Sequence, residues 1–409
     1  MKRIRLTLIL NILRQTSSSS QRGGSRSGQG SRRRRRSKKG GVYTFYSRLV
    51  AGCALAVVAL LWVSAASVHV HPDGLGILAW MGLMFPGFLA GVLCMLVFTL
   101  LFCRRRVWIP IVGLLGCCLT IRQYVPVNLP SPAPKQSLKL MSFNVMGYNP
   151  KEKDADGRTS VLRYLSRSGA DIICTQEAAL INGKLWKECH STPFVRTLPY
   201  CDTVQIIGPG GTNGLTIFSR YPIVGKRKLC SSSTNGAALF KVLIGKGDTL
   251  NVINCHFESN HLSAEERSAY RDMVHQPGSK NLKESEEERF SIVRKFSQSA
   301  VERARQADSV ARYVERHPDR SFVVCGDFND TPVSYSRHRI AQVLYDAYEH
   351  TGNGIGRSFN RDAIYVRIDH LFVSPEWRVF SCRVDRSSGQ LSDHYPITCH
   401  IKRRAALPE

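Results

Sequence analysis

The sequence predicts an α/β protein in which mixed β-sheets are covered by helices and preceded by an apolar N-terminal segment. Three observations lead there. From residue 138 onward, short apolar runs of strand type alternate with longer stretches of helical period. Several of those runs succeed one another like the arms of hairpins, which calls for antiparallel steps inside the sheets. Before residue 124, apolar residues gather in three nearly uncharged runs of about the length that a membrane-crossing helix needs.

Taken in order, residues 1–48 form a basic tail with 14 Lys and Arg and no acid, which locates more than half of the net charge of +26. From residue 107 onward 40 basic residues face 30 acidic ones, so charge alone does not diagnose a nucleic-acid binder there. Residues 17–39, rich in Ser, Gly and Arg, are expected to be disordered, with the Arg run lying on anionic lipid headgroups. The runs at about 49–68, 75–103 and 107–123 are expected to be transmembrane helices. They begin too late and are too many for a cleavable signal peptide. Basic residues flank the first run on its N-terminal side and recur at Arg104–Arg106, while the loop around residues 69–76 has none. The positive-inside rule then sets a multi-pass protein in an inner or plasma membrane, with the large C-terminal domain outside the cytoplasm. A third run that only dips into the interface would instead leave the domain in the cytosol. No Asp, Glu or Lys interrupts the runs, which gives a transport path no support.

Residues 125–137, "VPVNLPSPAPKQS", read as a stiff spacer. Strands are expected at 138–145, across "DIICTQE" to Glu177, at 214–223, 237–244 and 249–259, through "FVVCGD", and at 368–374 and 394–402. Helices are expected over 156–170 and 262–316, the latter broken at 276–281. Residues 403–409 form a short tail. Cys174, Cys255, Cys325 and Cys399 lie in strand-like runs and suit small core hydrophobes, and Cys189 with Cys201 could pair in an oxidising compartment. There is no CxxC or Cys/His zinc spacing.

Strand after strand adjoins a polar residue suited to a metal or a phosphate: Asn144, Glu177, His256, Asp327 with Asn329, Asp369 with His370, and Asp393 with His394. Such ends converge on one rim of a sheet. Oxygen donors without a thiolate cluster suit a hard ion such as Mg2+, with Mn2+ as substitute. Each residue also has a plainer reading. Asn144 and Asn329 suit turn caps, Glu177 a solvated strand end, Asp327 a turn beside Gly326, His256 a core histidine, and Asp369 a strand-edge charge. His370 reads as structural, while Arg220 and Asn213 suit either a phosphate contact or a structural pairing.

In order, "MSFNVMGYN", "DIICTQE", "GLTIFSRYPI", "NCHFES", "VVCGDFND", "IDHLFVS" and "LSDHYPI" resemble the endonuclease/exonuclease/phosphatase superfamily with its deoxyribonuclease-I-like fold, here in a membrane-anchored bacterial-type form. The likeness spans residues 138–402. It implies a four-layer sandwich of two mixed sheets flanked by helices, and metal-dependent phosphoester hydrolysis. Carried over, Glu177 is the principal Mg2+ ligand, Asn144 lies near ion and phosphate, and Asp393 is a second metal contact or a support for His394. Asp327 and Asn329 position or deprotonate water, His394 contacts the phosphate and is oriented by Asp369, and His256 donates to a phosphate oxygen or the leaving group.

The leading expectation is thus a membrane-anchored Mg2+-dependent phosphoesterase whose substrate is a lipid headgroup, a sugar phosphate or a nucleic acid. The alternatives are a nuclease acting on DNA or RNA outside the cytoplasm, and an inactive tethered binding protein on the same fold. No basic stripe interleaved with aromatics favours nucleic acid.

Overall fold

The computed structural model describes residues 29–148, 159–178, 187, 192–206, 213–260, 266, 286–361 and 366–404. Its strands form two six-stranded sheets. The first contains β1 (Leu138–Asn144), β2 (Ile172–Gln176), β3 (Tyr200–Gln205), β4 (Gly214–Ser219), β11 (Trp377–Val384) and β12 (Ile397–Arg403), in the order β11-β12-β1-β2-β4-β3. The second contains β5 (Ile223–Ser231), β6 (Gly236–Gly245), β7 (Asp248–His256), β8 (Ser321–Asp327), β9 (Tyr345–Asp346) and β10 (Asp369–Val373), in the order β5-β6-β7-β8-β10-β9. Each sheet holds one parallel pair at its centre, β1 with β2 and β7 with β8, between antiparallel neighbours. The mixed-sheet expectation is met, and the two sheets share this layout.

Period-two alternation explains the layers. Val323 and Cys325 face the inter-sheet core with Cys174, Ile217, Phe240 and Leu371. Phe322 and Val324 face outward onto Ala307, Val310 and Ala311 of a long helix, Glu286–Glu315. On the other side Met141, Phe143 and Phe218 pack against Leu162 and Leu165 of the helix Ser160–Arg167. A strand buried on both faces reads as an unbroken apolar run, as "FVVC" does. The segment expected as one strand over 214–223 is two, because Pro222 cannot continue a ladder and β5 starts in the second sheet. The 156–158, 262–265 and 267–285 parts of the expected helical segments lie outside the described residues, as do Cys189 and the tail beyond 404.

The N-terminal segment differs from its expected boundaries. Helix α1 spans Gln29–Ala66, so residues 29–39 are helical rather than disordered, while 1–28 lie outside the described residues. Arginine is a good helix former, and an apolar helix already nucleated at its C-terminal side extends into such a run. The second apolar run is broken at Met84 into α2 (Gly76–Leu83) and α3 (Phe85–Phe102). Pro86 in the first turn of α3 lacks the N–H that a continuous helix would need. The third comprises α4 (Trp108–Gly116) and α5 (Cys118–Tyr124), bent by 60°. Among the described residues two helices, Tyr43–His69 and Phe85–Phe102, are long and apolar enough to cross a membrane, and the bent pair qualifies as a third if counted as one span. Trp62 Nε1 donates to Gly113 O at 3.1 Å and Ser64 Oγ to Met81 O at 2.6 Å.

Nor is the proline-rich segment a free spacer. Asn128 Nδ2 donates to Glu349 O at 3.0 Å and Gly352 O at 2.7 Å, satisfying carbonyls at the end of the helix Ala347–Thr351. Ser381 Oγ bonds Ser131 O at 2.6 Å. Helix α2 also docks on the sandwich: Trp80 Nε1 donates to Val293 O at 3.2 Å, and its ring lies 4.9 Å from Phe296.

Candidate active site

The site begins with strand register. His256 ends β7 directly opposite Asp327 at the end of β8, and Asp327 stands opposite Asp369 at the start of β10. Side chains directly opposite one another lie about 5 Å apart on one face, so the backbone alone sets these three in a row. His394 closes it. Its Nδ1 is 2.8 Å from Asp369 Oδ2 and its Nε2 is 3.5 Å from Asp327 Oδ2. From the first sheet, Asn144 at the end of β1 donates through Nδ2 to Asp327 Oδ2 at 3.1 Å and to Glu177 Oε1 at 3.0 Å. His256 Nε2 is 3.7 Å from Asp327 Oδ2 and 3.9 Å from Glu177 Oε1.

Burial divides the groups. Asn144, His256, Asp327, Asp369 and His394 are buried, whereas the Glu177 side chain is 41% exposed and faces the opening. Glu177 and Asn329 hold left-handed backbone, at φ 52° and 50°. Non-glycine residues there are strained by roughly 1–2 kcal/mol. At Asn329 the strain brings its peptide N–H 2.8 Å from Asp327 Oδ1 while Nδ2 donates to Phe257 O at 2.9 Å.

These positions set the charges. Burial pushes the Asp327 carboxyl above its ordinary range, with the His394 charge pulling the other way. Burial alone would push His394 down, but the Asp369 and Asp327 carboxylates overcome it and lift the imidazole to about 10. Burial holds His256 below its ordinary value against the pull of Asp327. At neutral pH the site thus holds one imidazolium and one neutral imidazole beside a basic carboxylate.

Among the described residues, Asp327, Asp369 and His394 form the cluster whose ligand atoms lie within 4.8 Å of one another, a set that could hold a metal ion. His394, protonated and engaged with Asp369, is a poor ligand. The oxygen pair Glu177 and Asp327 fits a hard divalent ion better, since both accept from one Asn144 nitrogen and so lie at most about 6 Å apart. Asn144 presents its amide nitrogen to them and accepts from Met146 N at 3.1 Å through Oδ1, unlike an oxygen ligand. Asp393, expected as a second metal contact, points to the rim, with Oδ2 3.8 Å from Arg361 Nε. Neighbours on extended backbone point to opposite sides, and His394 takes the inward one.

Two residues left open, Arg220 and Asn213, have structural partners, and His370, read as structural, is buried. Arg220 pairs with Asp171 at 2.7 Å, His370 is buried with Nε2 3.1 Å from Asp330 O, and Asn213 Oδ1 stands 3.4 Å from His256 Nδ1. Sequence reasoning missed Gln176 and Asn254, whose buried amides join the sheets at 2.7 Å beneath the site, and Arg303. Arg303 Nε bonds Asp330 Oδ2 at 3.2 Å and Nη1 bonds Glu258 O at 3.0 Å. Their signal was faint, a polar residue inside an apolar strand or helix face.

Compared with known proteins, residues 141–394 match the model of the endonuclease/exonuclease/phosphatase family, and residues 47–124 match a model described as a domain of unknown function. No curated protein matches the sequence. Among solved structures the chain is similar to an endonuclease/exonuclease/phosphatase family protein from Bacteroides thetaiotaomicron, at 19% identity over 65% of this chain and 97% of that one, with TM-score 0.42. A mannosyl-6-phosphatase from the same organism is similar at 19% identity over 65% and 100%, with TM-score 0.43. The human Nocturnin catalytic domain with bound sulfate is similar at 14% identity over 67% and 97%, with TM-score 0.45.

Proposed function

Because the chain belongs to the endonuclease/exonuclease/phosphatase family, we propose that it is a membrane-anchored, Mg2+-dependent phosphoesterase that cleaves a phosphoester bond with water. The observation that carries this reading is the row His256, Asp327 and Asp369, closed by His394 and faced by Asn144 and Glu177.

Each group has a task that its surroundings suit. Asp327, made more basic by burial and held by the Asn329 peptide, takes a proton from the attacking water. The His394 imidazolium, held by Asp369, donates through Nε2 to a phosphoryl oxygen whose charge grows during attack. Neutral His256 lies on the same side, and the Asn144 amide holds the Glu177 and Asp327 carboxylates in place. The water oxygen forms the new P–O bond, one ester P–O bond breaks, and the leaving oxygen takes up a proton. Glu177 would hold Mg2+, which supplies Lewis-acid neutralisation of the phosphate when bound. The strained backbone at both Glu177 and Asn329 supports catalysis over an idle binding role, since such strain is retained where function requires it.

For topology we take three crossings with the catalytic domain outside the cytoplasm. Arg106 Nε bonds Ser47 Oγ at 3.1 Å, which joins the two basic segments at one end of the bundle. Tyr124 and Phe85 meet at the other end, where the sandwich docks.

The test uses the full-length chain in detergent with bis-p-nitrophenyl phosphate and p-nitrophenyl phosphate. Mg2+-dependent release of nitrophenol, abolished by EDTA and reduced by ~10²-fold or more in Glu177→Gln and His394→Asn, is expected. Release that survives both EDTA and both substitutions refutes the reading.

A further inference from the structure

The catalytic end of the sandwich is also the end that rests on the anchor. Four residues after Asn329, and so at most about 14 Å along the chain, Val333 is buried in one apolar cluster with Val68, Phe85 and Tyr124 of the anchor. The Val333 carbonyl lies so close to Gly82 that a Cβ there would stand 2.6 Å from it. Tyr335 and His338, just beyond, meet His71 and His69 edge to face, with ring centroids 4.9 and 4.5 Å apart. On the other flank Arg367, two residues before Asp369, donates to Gln123 O at 2.8 Å. Gly354 N bonds Pro126 O at 2.9 Å, five residues before Phe359, whose ring lies 5.2 Å from that of His394.

Phe85 opens the apolar helix Phe85–Phe102, of mean hydropathy 2.3, so the hydrocarbon edge on this side lies near its first turn. Lipid headgroups occupy roughly the next 5–8 Å. The chain reach therefore sets the catalytic groups at or just above the headgroup layer. Uncovered apolar side chains mark the same level: Leu75 is 50% exposed, Val127 82%, Leu129 88% and Ile355 41%. Val127 and Leu129 flank Asn128, which is tied to Glu349, Gly352 and Asn353, one residue from Gly354 and two from Ile355. Such residues are at odds with water and at home in the interface between headgroups and acyl chains.

We propose that the phosphoester this site hydrolyses is carried by a lipid of the membrane leaflet on which the catalytic domain rests, with Leu75, Val127, Leu129 and Ile355 seated in that leaflet. The inference rests on the phosphoesterase reading and names its substrate class. Confinement of enzyme and lipid to one surface raises effective concentration by ~10²-fold or more without any added contact. A long polymer such as DNA, by contrast, loses one side of its approach to the bilayer.

The full chain is reconstituted in phosphatidylcholine vesicles doped in turn with phosphatidylethanolamine, phosphatidylglycerol, sphingomyelin and a phosphatidylinositol phosphate. The deacylated counterparts, plasmid DNA and bis-p-nitrophenyl phosphate are offered in parallel. At least one lipid is expected to be cleaved about tenfold or more faster than its deacylated form, with the rate falling as that lipid is diluted within the bilayer. Leu129→Glu and Ile355→Glu are expected to lower lipid cleavage about tenfold and to leave bis-p-nitrophenyl phosphate cleavage within about twofold. Cleavage of the soluble diester with deacylated esters or DNA as good as any lipid overturns the inference alone. Failure to cleave even the soluble diester overturns the phosphoesterase reading and the inference with it.

Discussion

Replacing Asp369 with asparagine keeps the outline of the side chain and removes one buried charge. The carboxylate is fully buried, with Oδ2 2.8 Å from His394 Nδ1 and Oδ1 without a hydrogen-bond partner among the described residues. Burial works against the His394 charge, yet Asp369, followed by Asp327, lifts the imidazole to about 10 from an ordinary 6.5. At 1.36 kcal/mol per unit, that rise corresponds to about 5 kcal/mol in favour of imidazolium. In Asp369→Asn the effect of burial loses its main opponent, the ring is neutral at pH 7, and its second nitrogen is no longer held in one tautomer. Turnover is expected to fall by ~10²–10⁴-fold.

The assay is a pH–rate profile with bis-p-nitrophenyl phosphate, paired with imidazole NMR. Wild type should stay active until the imidazolium is lost near pH 10, with its acid limb set by protonation of Asp327 at a pH above the ordinary carboxylate range. The variant should show its alkaline limb below neutrality. Stability carries the same signature. A folded pKa above the unfolded value stabilises fully below about pH 6.5, and that contribution disappears as pH rises toward 10. Denaturation of wild type should therefore show a decline over that window which the variant lacks. An unmoved alkaline limb in Asp369→Asn refutes the assignment of His394 as the charged donor.

Glu177→Gly relieves a left-handed residue at φ 52° while deleting a half-exposed carboxylate. Its urea midpoint should hold or gain no more than about 1 kcal/mol in stability while turnover drops ~10²-fold or more; a large loss of stability would show that the residue serves the fold. His370 is buried and its imidazole is lowered to about 4, by burial first and then by the Arg367 charge. The unfolded chain binds a proton below about pH 6.5 that the folded one refuses, so stability should fall by up to about 3 kcal/mol between pH 6.5 and 4. His370→Gln should flatten part of that acid limb in chemical denaturation, and an unchanged slope would contradict it.

Much of the scaffold was legible because its signals are local. The unbroken apolar run "FVVC" announces a strand buried on both faces, and polar residues at successive strand ends announce a rim. What stayed hidden depends on partners. β3 and β11 sit at sheet edges with half-exposed patterns, and β9 has two residues, so none has the apolar run that marks a central strand. Asp393 and His394 are adjacent in sequence and equally suited to a ligand role; only the local direction of the chain sends one outward to Arg361 and the other inward to Asp369. The docking of Asn128 and Trp80 was invisible for a like reason, since the carbonyls they meet have no sequence signature.

The row of catalytic groups depends on how closely β7 and β8 approach at their last rung. Gly326 stands opposite Cys255 at φ 146°, and a Cβ there would overlap the Cys255 carbonyl. Only glycine lets the parallel pair close at this point, one residue before His256 and Asp327 face each other. Asp327 then inherits a position fixed from both sides, by β7 through His256 and by β10 through Asp369. A slip of one residue in either pairing would send one of these side chains to the opposite face of the sheet. The chemistry is therefore held by backbone register in the second sheet. The first sheet contributes Asn144 and Glu177, which lean across to it, and the hydrogen bond from Asn144 Nδ2 to Asp327 Oδ2 at 3.1 Å makes the closure of one sheet over the other part of the site itself.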